Sequence, residues 1–121
     1  MRRPGCTIIG TVVAKPEKRE ELLRILAAQV NPTRAEAGCV NYDFHCDKAD
    51  PNVFVFYENF ASREALDEHL QKPYLQPLMS RIDELLARPV DIRYLEMLSD
   101  RIAERKLKRP PARTALADAD P

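Results

Sequence analysis

Glu58 lies in the run VFVFYENF over residues 53–60, where strand alternation puts it on the same side as Phe54, Phe56 and Phe60. A carboxylate among phenyl rings is expected to keep its proton to higher pH, which suits a general base for a phenolic or enolic proton. Read as scaffold, the same side chain is a structural acid bonded to backbone or to an arginine. His69 shares a helix face with Ala65, Leu66 and Leu70. An imidazole there can accept and return a proton near neutral pH, or it can simply be a satisfied core group. Tyr42 shares the apolar parity of its own strand and is placed either to orient a substrate oxygen or to pack with its hydroxyl at the rim.

These residues need elements to carry them. Residues 7–14, with Ile8, Ile9, Val12 and Val13 around Gly10, read as a strand covered on both faces. Lys15-Pro16 opens a helix, with Pro16 in its first turn and Leu22, Leu23, Leu26 and Val30 along one stripe. Asn31-Pro32 should interrupt it, and Gly38 is placed to end a short continuation. In residues 39–46, Val40, Tyr42, Phe44 and Cys46 alternate with polar neighbours, giving a second strand. A polar turn at 47–52 leads into the third strand, 53–60, which is apolar on both faces. One helix layer covers one face, so a second subunit is expected on the other.

Ser62 is the expected N-cap of the next helix, with Glu64 in its first turn. After Pro73 a further helix should carry Leu75, Leu78, Met79, Ile82, Leu85 and Leu86 to Arg88. Residues 90–98 complete the set as a fourth strand. The order β-α-β-β-α-β predicts an α+β, ferredoxin-like split βαβ domain over residues 1–100. Its four-stranded antiparallel sheet would have helices on one face. Residues 101–121 read as a C-terminal extension, partly disordered. Residues 101–113 hold six basic groups and one acid, most simply a solvated run.

Composition narrows the classes further. The 121 residues, 45% hydrophobic and 31% charged, fit one globular domain. Lys plus Arg and Asp plus Glu both number 19, and zero net charge argues against a general nucleic-acid binder. No apolar run is long enough to cross a bilayer and no secretory pattern follows Met1, so no membrane association and a cytoplasmic location are expected. Cys6, Cys39 and Cys46 form no C-x-x-C pair, and neighbours such as His45 and Cys46 on a strand face opposite ways. No metal site is expected. Gly5, Gly10 and Gly38 are isolated, so no nucleotide-binding glycine loop exists and no cofactor is expected.

Two segments carry a family resemblance. AEAGCVNYDFH, residues 35–45, resembles the R-A-E-P-G-C-x-x-Y stretch of the antibiotic biosynthesis monooxygenases. PNVFVFYENFASREALDEH, residues 51–69, resembles their P-x-x-F-x-x-Y-E-x-W-x-D-x-x-A-L-x-x-H stretch. With the Pro16 helix start, the likeness spans residues 7–98. It implies a homodimer whose sheets pack face to face into an α+β barrel, with a pocket in each protomer between sheet and helices. It also implies that Glu58 and His69 match the family's strand glutamate and helix histidine.

Family members include cofactor-independent monooxygenases of anthrones and quinols, and an isomerase of a phosphorylated signal. The anthrone oxidisers carry Asn, Trp and Tyr where this chain has Phe56, Phe60 and Leu66, and many members have a second His where Tyr74 stands. The expected substrate is therefore a small, flat, hydrophobic or aromatic molecule. Tyr42, Phe54, Phe56, Phe60, Leu66 and Tyr74 would bind it, and Glu58 and His69 would be catalytic. The expected function is cofactor-free oxidation of a quinol-like substrate with dioxygen. The alternatives are an isomerase acting on a small carbonyl or sugar-phosphate compound through an enediol, and a non-catalytic hydrophobic-ligand-binding dimer.

Overall fold

The computed structural model describes residues 5–100. The expected 101–121 extension, with its basic run, lies outside the described residues. Strand β1 (Cys6–Val13) leads through a 3-10 turn at Pro16–Lys18 into α1 (Arg19–Ala28) and the short α2 (Val30–Arg34). Strands β2 (Cys39–Cys46) and β3 (Val53–Phe60) follow, then α3 (Arg63–Leu70). A 3-10 turn at Pro73–Leu75, α4 (Gln76–Met79), α5 (Ile82–Leu85) and β4 (Asp91–Leu95) complete the order. The strands form one antiparallel sheet in the order β2-β3-β1-β4. This is the ferredoxin-like arrangement.

The sheet's inner face is set by register. Ile8 lies opposite Glu58, Gly10 opposite Phe56 and Val12 opposite Phe54. Across the other edge of β3, Tyr42 lies opposite Glu58 and Phe44 opposite Phe56. Against this face pack Leu22 and Leu26 of α1, Leu66 of α3, Leu78 of α4 and Leu85 of α5. Burying each such side chain stabilises the fold by roughly 1.5–3 kcal/mol. Ser62 caps α3, its Oγ accepting from the Ala65 amide at 3.0 Å.

Several expectations need correction. α1 stops at Ala28, and Pro32 falls inside the first turn of α2, where its missing N–H costs nothing. The helix expected to run unbroken to Arg88 is instead a 3-10 turn and two single turns. Pro73 and Pro77 each open a new turn, and the Ser80 hydroxyl bonds back to the Gln76 carbonyl at 2.8 Å. β1 begins at Cys6 and ends at Val13, and β4 spans five residues rather than nine.

A bulge between Cys39 and Asn41 breaks the expected alternation of β2, so that Cys39 rather than Val40 packs on the core while Tyr42 still faces inward. Gly38 does not terminate α2 with a left-handed residue, since no described residue has positive φ. Its role is steric: a Cβ there would lie 2.4 Å from the Ala65 Cβ of α3.

The outer face of the sheet is not uniformly apolar. The Thr7 hydroxyl donates to Asn59 Oδ1, Asn59 Nδ2 donates to Asn41 Oδ1 at 2.8 Å, and Asn41 Nδ2 donates to Asp43 at 3.0 Å. Thr7 and Asn59 are buried within this cross-strand ladder. Around it Ile9, Thr11, Val13, Val53, Val55 and Tyr57 are only half-buried, and Leu95 is exposed.

Candidate functional site

A cavity of about 260 Å3 lies between the inner sheet face and the helices. Ile8, Gly10 and Val12 of β1, Phe56 of β3 and Ile92 of β4 contribute from the sheet, and Leu26, Leu66 and Leu78 from the helices. Its polar side chains are Gln29, Tyr42, Glu58, His69 and Tyr94.

Gly10 keeps the space open: a Cβ there would meet only Glu58 Oε2, at 4.0 Å. Register brings Glu58 here, because it sits between Ile8 on one neighbouring strand and Tyr42 on the other. Burial, reinforced by the negative charge of Glu36, pushes its carboxyl up to about 7. The group therefore exchanges its proton near neutral pH, as a general base should.

His69 enters from α3, on the helix face it shares with Ala65 and Leu66. It is 4% exposed, and its ring lies 5.1 Å from Phe60 and 5.7 Å from Tyr42 between centroids. Its Nδ1 is 2.9 Å from Oε2 of Glu36, a nearly buried carboxylate from the segment between α2 and β2. Burial, and then the charge of Glu58, hold the Tyr42 phenol well above its usual range, so it serves as a neutral donor or acceptor. Burial pushes the Cys39 thiol up to about 11, which removes it as a thiolate nucleophile. Among the described residues no three His, Cys, Asp or Glu side chains are grouped to hold a metal ion.

The sequence model of the antibiotic biosynthesis monooxygenases matches residues 6–80, more than half the chain. This chain belongs to that family. An uncharacterised Synechocystis protein is 36% identical over 71% of this chain, which spans 58% of that relative's length. A Mycobacterium tuberculosis protein named "Putative monooxygenase Rv0793" is 38% identical over 77% of this chain and 91% of its own. Among solved structures, a Pseudomonas aeruginosa protein superposes with a TM-score of 0.76 at 34% identity, covering 82% of this chain and 99% of its own.

In this antibiotic biosynthesis monooxygenase family member, the cavity gathers Glu58, His69, Tyr42, Phe56 and Leu66 from the residues singled out in the sequence. Phe54 and Phe60 are wholly buried in the core and stand outside the cavity wall. Tyr74 lies in a separate open groove with Arg24, Pro73 and Pro77, because the Pro73 turn carries it over the far side of α1.

The sequence reading missed Glu36, Gln29, Gly10 and the two β4 residues Ile92 and Tyr94. Gln29 did carry a signal, since it continues the Leu22–Leu26 helical stripe. Glu36 lies outside any periodic element, and its one signal was its match to the glutamate of the R-A-E-P-G-C-x-x-Y stretch. No helix among the described residues is long and apolar enough to cross a membrane.

Proposed function

We propose that this protein is a cofactor-independent monooxygenase that oxidises a small aromatic, quinol-like substrate with dioxygen. The observation that carries the proposal is Glu58, a carboxyl poised at about 7 in the wall of a mostly apolar cavity that it shares with His69. The names of related proteins support oxidation as the reaction class.

Glu58 removes the phenolic proton, and the apolar walls hold the ring. The electron-rich phenolate then reacts with dioxygen at a ring carbon, forming a C–O bond and a peroxide. Loss of water from the peroxide breaks the O–O bond and leaves the quinone oxygen on carbon. For a hydroquinone the balance is one dioxygen consumed, one hydroxyquinone and one water formed. Glu58 passes its proton to the peroxide, and His69 takes the ring C–H proton as the O–O bond breaks and returns it to the departing hydroxide, completing the water. Among the described residues lining the cavity there is no Lys or Arg, which counts against a phosphorylated ligand and so against the sugar-phosphate isomerase.

The same reading includes a homodimer, with the half-buried outer sheet face as the contact. Oxygen uptake with a panel of hydroquinones and naphthoquinols tests the activity. One dioxygen per substrate is expected, and Glu58→Gln and His69→Ala should each lower the rate about a hundredfold with the fold intact. Binding of quinones without oxygen uptake would replace this proposal with a ligand-binding role.

A further inference from the structure

Glu36 comes from the short segment between α2 and β2, far from Glu58 and His69 in their own elements, yet its side chain is only 10% exposed. Backbone bonds pin the segment at both ends: the Glu36 amide donates to the Thr33 carbonyl at 3.0 Å, and the Cys39 amide donates to the Glu36 carbonyl at 3.1 Å. Gly38 lets the segment lie directly against α3, where any Cβ would collide with Ala65. Ala65 is one helical turn before His69, so this close approach sets the carboxylate beside the imidazole.

The ring is held on its other surfaces by Phe60 and Tyr42. Its Nε2 makes no hydrogen bond to any described residue, while His69 itself borders the cavity. An ionised carboxylate has only acceptor sites, so the ring nitrogen facing it must carry the hydrogen. The tautomer of a histidine is set in this way by the bond its other nitrogen makes.

We propose that Glu36 is a positioning residue: its carboxylate locks the neutral His69 ring as the Nδ1–H tautomer and leaves Nε2 as the acceptor offered to a cavity ligand. The proposal deepens the oxidation reading of the site, because a ligand proton or a protonated oxygen would then be met at Nε2. The other titratable groups near His69 are Tyr42 of β2, whose ring centroid lies 5.7 Å from the imidazole, and Glu58 of β3, which lines the same cavity. Among the described residues Nδ1 is hydrogen-bonded to Glu36 and to neither of these. Glu36 also repels charge on Glu58, so one carboxylate both orients the imidazole and favours the protonated form of the other acid.

The test is the 15N spectrum of the imidazole rings in the full chain, recorded where the rings are neutral. The chain has two histidines, and His45→Gln removes the exposed one to leave the His69 signals alone. The expected result is a single Nδ1–H tautomer in the otherwise native protein. In Glu36→Ala that tautomer should give way to Nε2–H or to a mixture. Glu36→Gln, which keeps the volume, should also yield a mixture, because an amide can either accept from or donate to Nδ1.

A native ring found as Nε2–H would overturn the proposal, as would a tautomer unchanged in both variants. If Glu36→Ala fails to fold, the native spectrum and Glu36→Gln decide. Oxygen uptake by His69→Ala is a separate arm. Unchanged uptake there, beside the expected spectra, would refute the catalytic reading of His69 and leave the positioning by Glu36 standing.

Discussion

Gly10 pairs with Phe56 and lies diagonal to Glu58 across the β1–β3 pairing, and the nearest atom to a Cβ at Gly10 would be Glu58 Oε2 at 4.0 Å. The absent side chain is therefore space in front of the candidate base, and the backbone there demands no glycine, since its φ is not positive. Gly10→Ala should fold normally and gain roughly 0.4–1 kcal/mol from the stiffer unfolded chain. Gly10→Leu should fill the cavity and weaken binding of a small naphthoquinone at least about tenfold, since an occupied pocket has no room for a ligand. Thermal unfolding and a titration followed by NMR check both. Undiminished binding by Gly10→Leu would place the ligand elsewhere.

Stability should fall as pH rises through the Glu58 window. The folded-state value of about 7 lies above the ordinary glutamate value of 4.5. Below the lower value both states hold the proton and there is no effect. Between the two the unfolded chain loses its proton while the folded one keeps it, so stability declines, and above about 7 the loss is complete. Glu58→Gln should flatten this decline and be the more stable form in mild alkali, by on the order of 1–3 kcal/mol. Paired melting curves from acid to alkali provide the check. A variant that tracks the wild type at every pH would show that Glu58 is not held protonated.

Activity should move the opposite way over the same range. If Glu58 must be ionised to take the phenolic proton, kcat/KM should climb as pH rises toward about 7 and then level off. Removing the charge in Glu36→Gln should shift that rise to lower pH, because the Glu36 charge helps keep Glu58 protonated. A pH–rate profile of each protein shows the shift; coincident profiles would exclude Glu58 as the titrating base.

Asn59 should be worth more than its place on the outer face suggests. It is buried and joins Thr7 to Asn41 across three strands. Asn59→Ala leaves those partners unpaired and should cost about 1–3 kcal/mol. For a domain of this size each kcal/mol lowers Tm by roughly 4–8 °C. Calorimetry measures it, and an unchanged Tm would mean that water replaces the ladder.

The proposed dimer contact is tested at Val55, half-buried in the centre of the outer face. Stable interfaces bury at least about 1,200 Å2 in total, and a charge in the middle of one is left unpaired. Val55→Glu should sediment as a monomer at micromolar concentration, where the wild type sediments as a dimer. A monomeric wild type would dismiss the dimer outright.

Periodicity determined the six main elements, because a strand or helix with one buried face must write its period into the sequence. It also determined that Glu58 and His69 point into the layer between sheet and helices, since each shares a face with large apolar neighbours. Prolines 16, 32 and 73 marked interruptions for the same local reason: each lacks an amide donor.

What periodicity could not carry was decided by tertiary contact. Cys39 took the inward place that alternation gave to Val40, because one extra residue in β2 shifts the register. Tyr74 left the cavity because the Pro73 turn redirects it. Phe54 and Phe60 became core rather than wall, a distinction of depth that parity does not encode. Glu36 reached His69 only because Gly38 lies flat against Ala65, a contact between residues 27 positions apart that exists once the chain has folded.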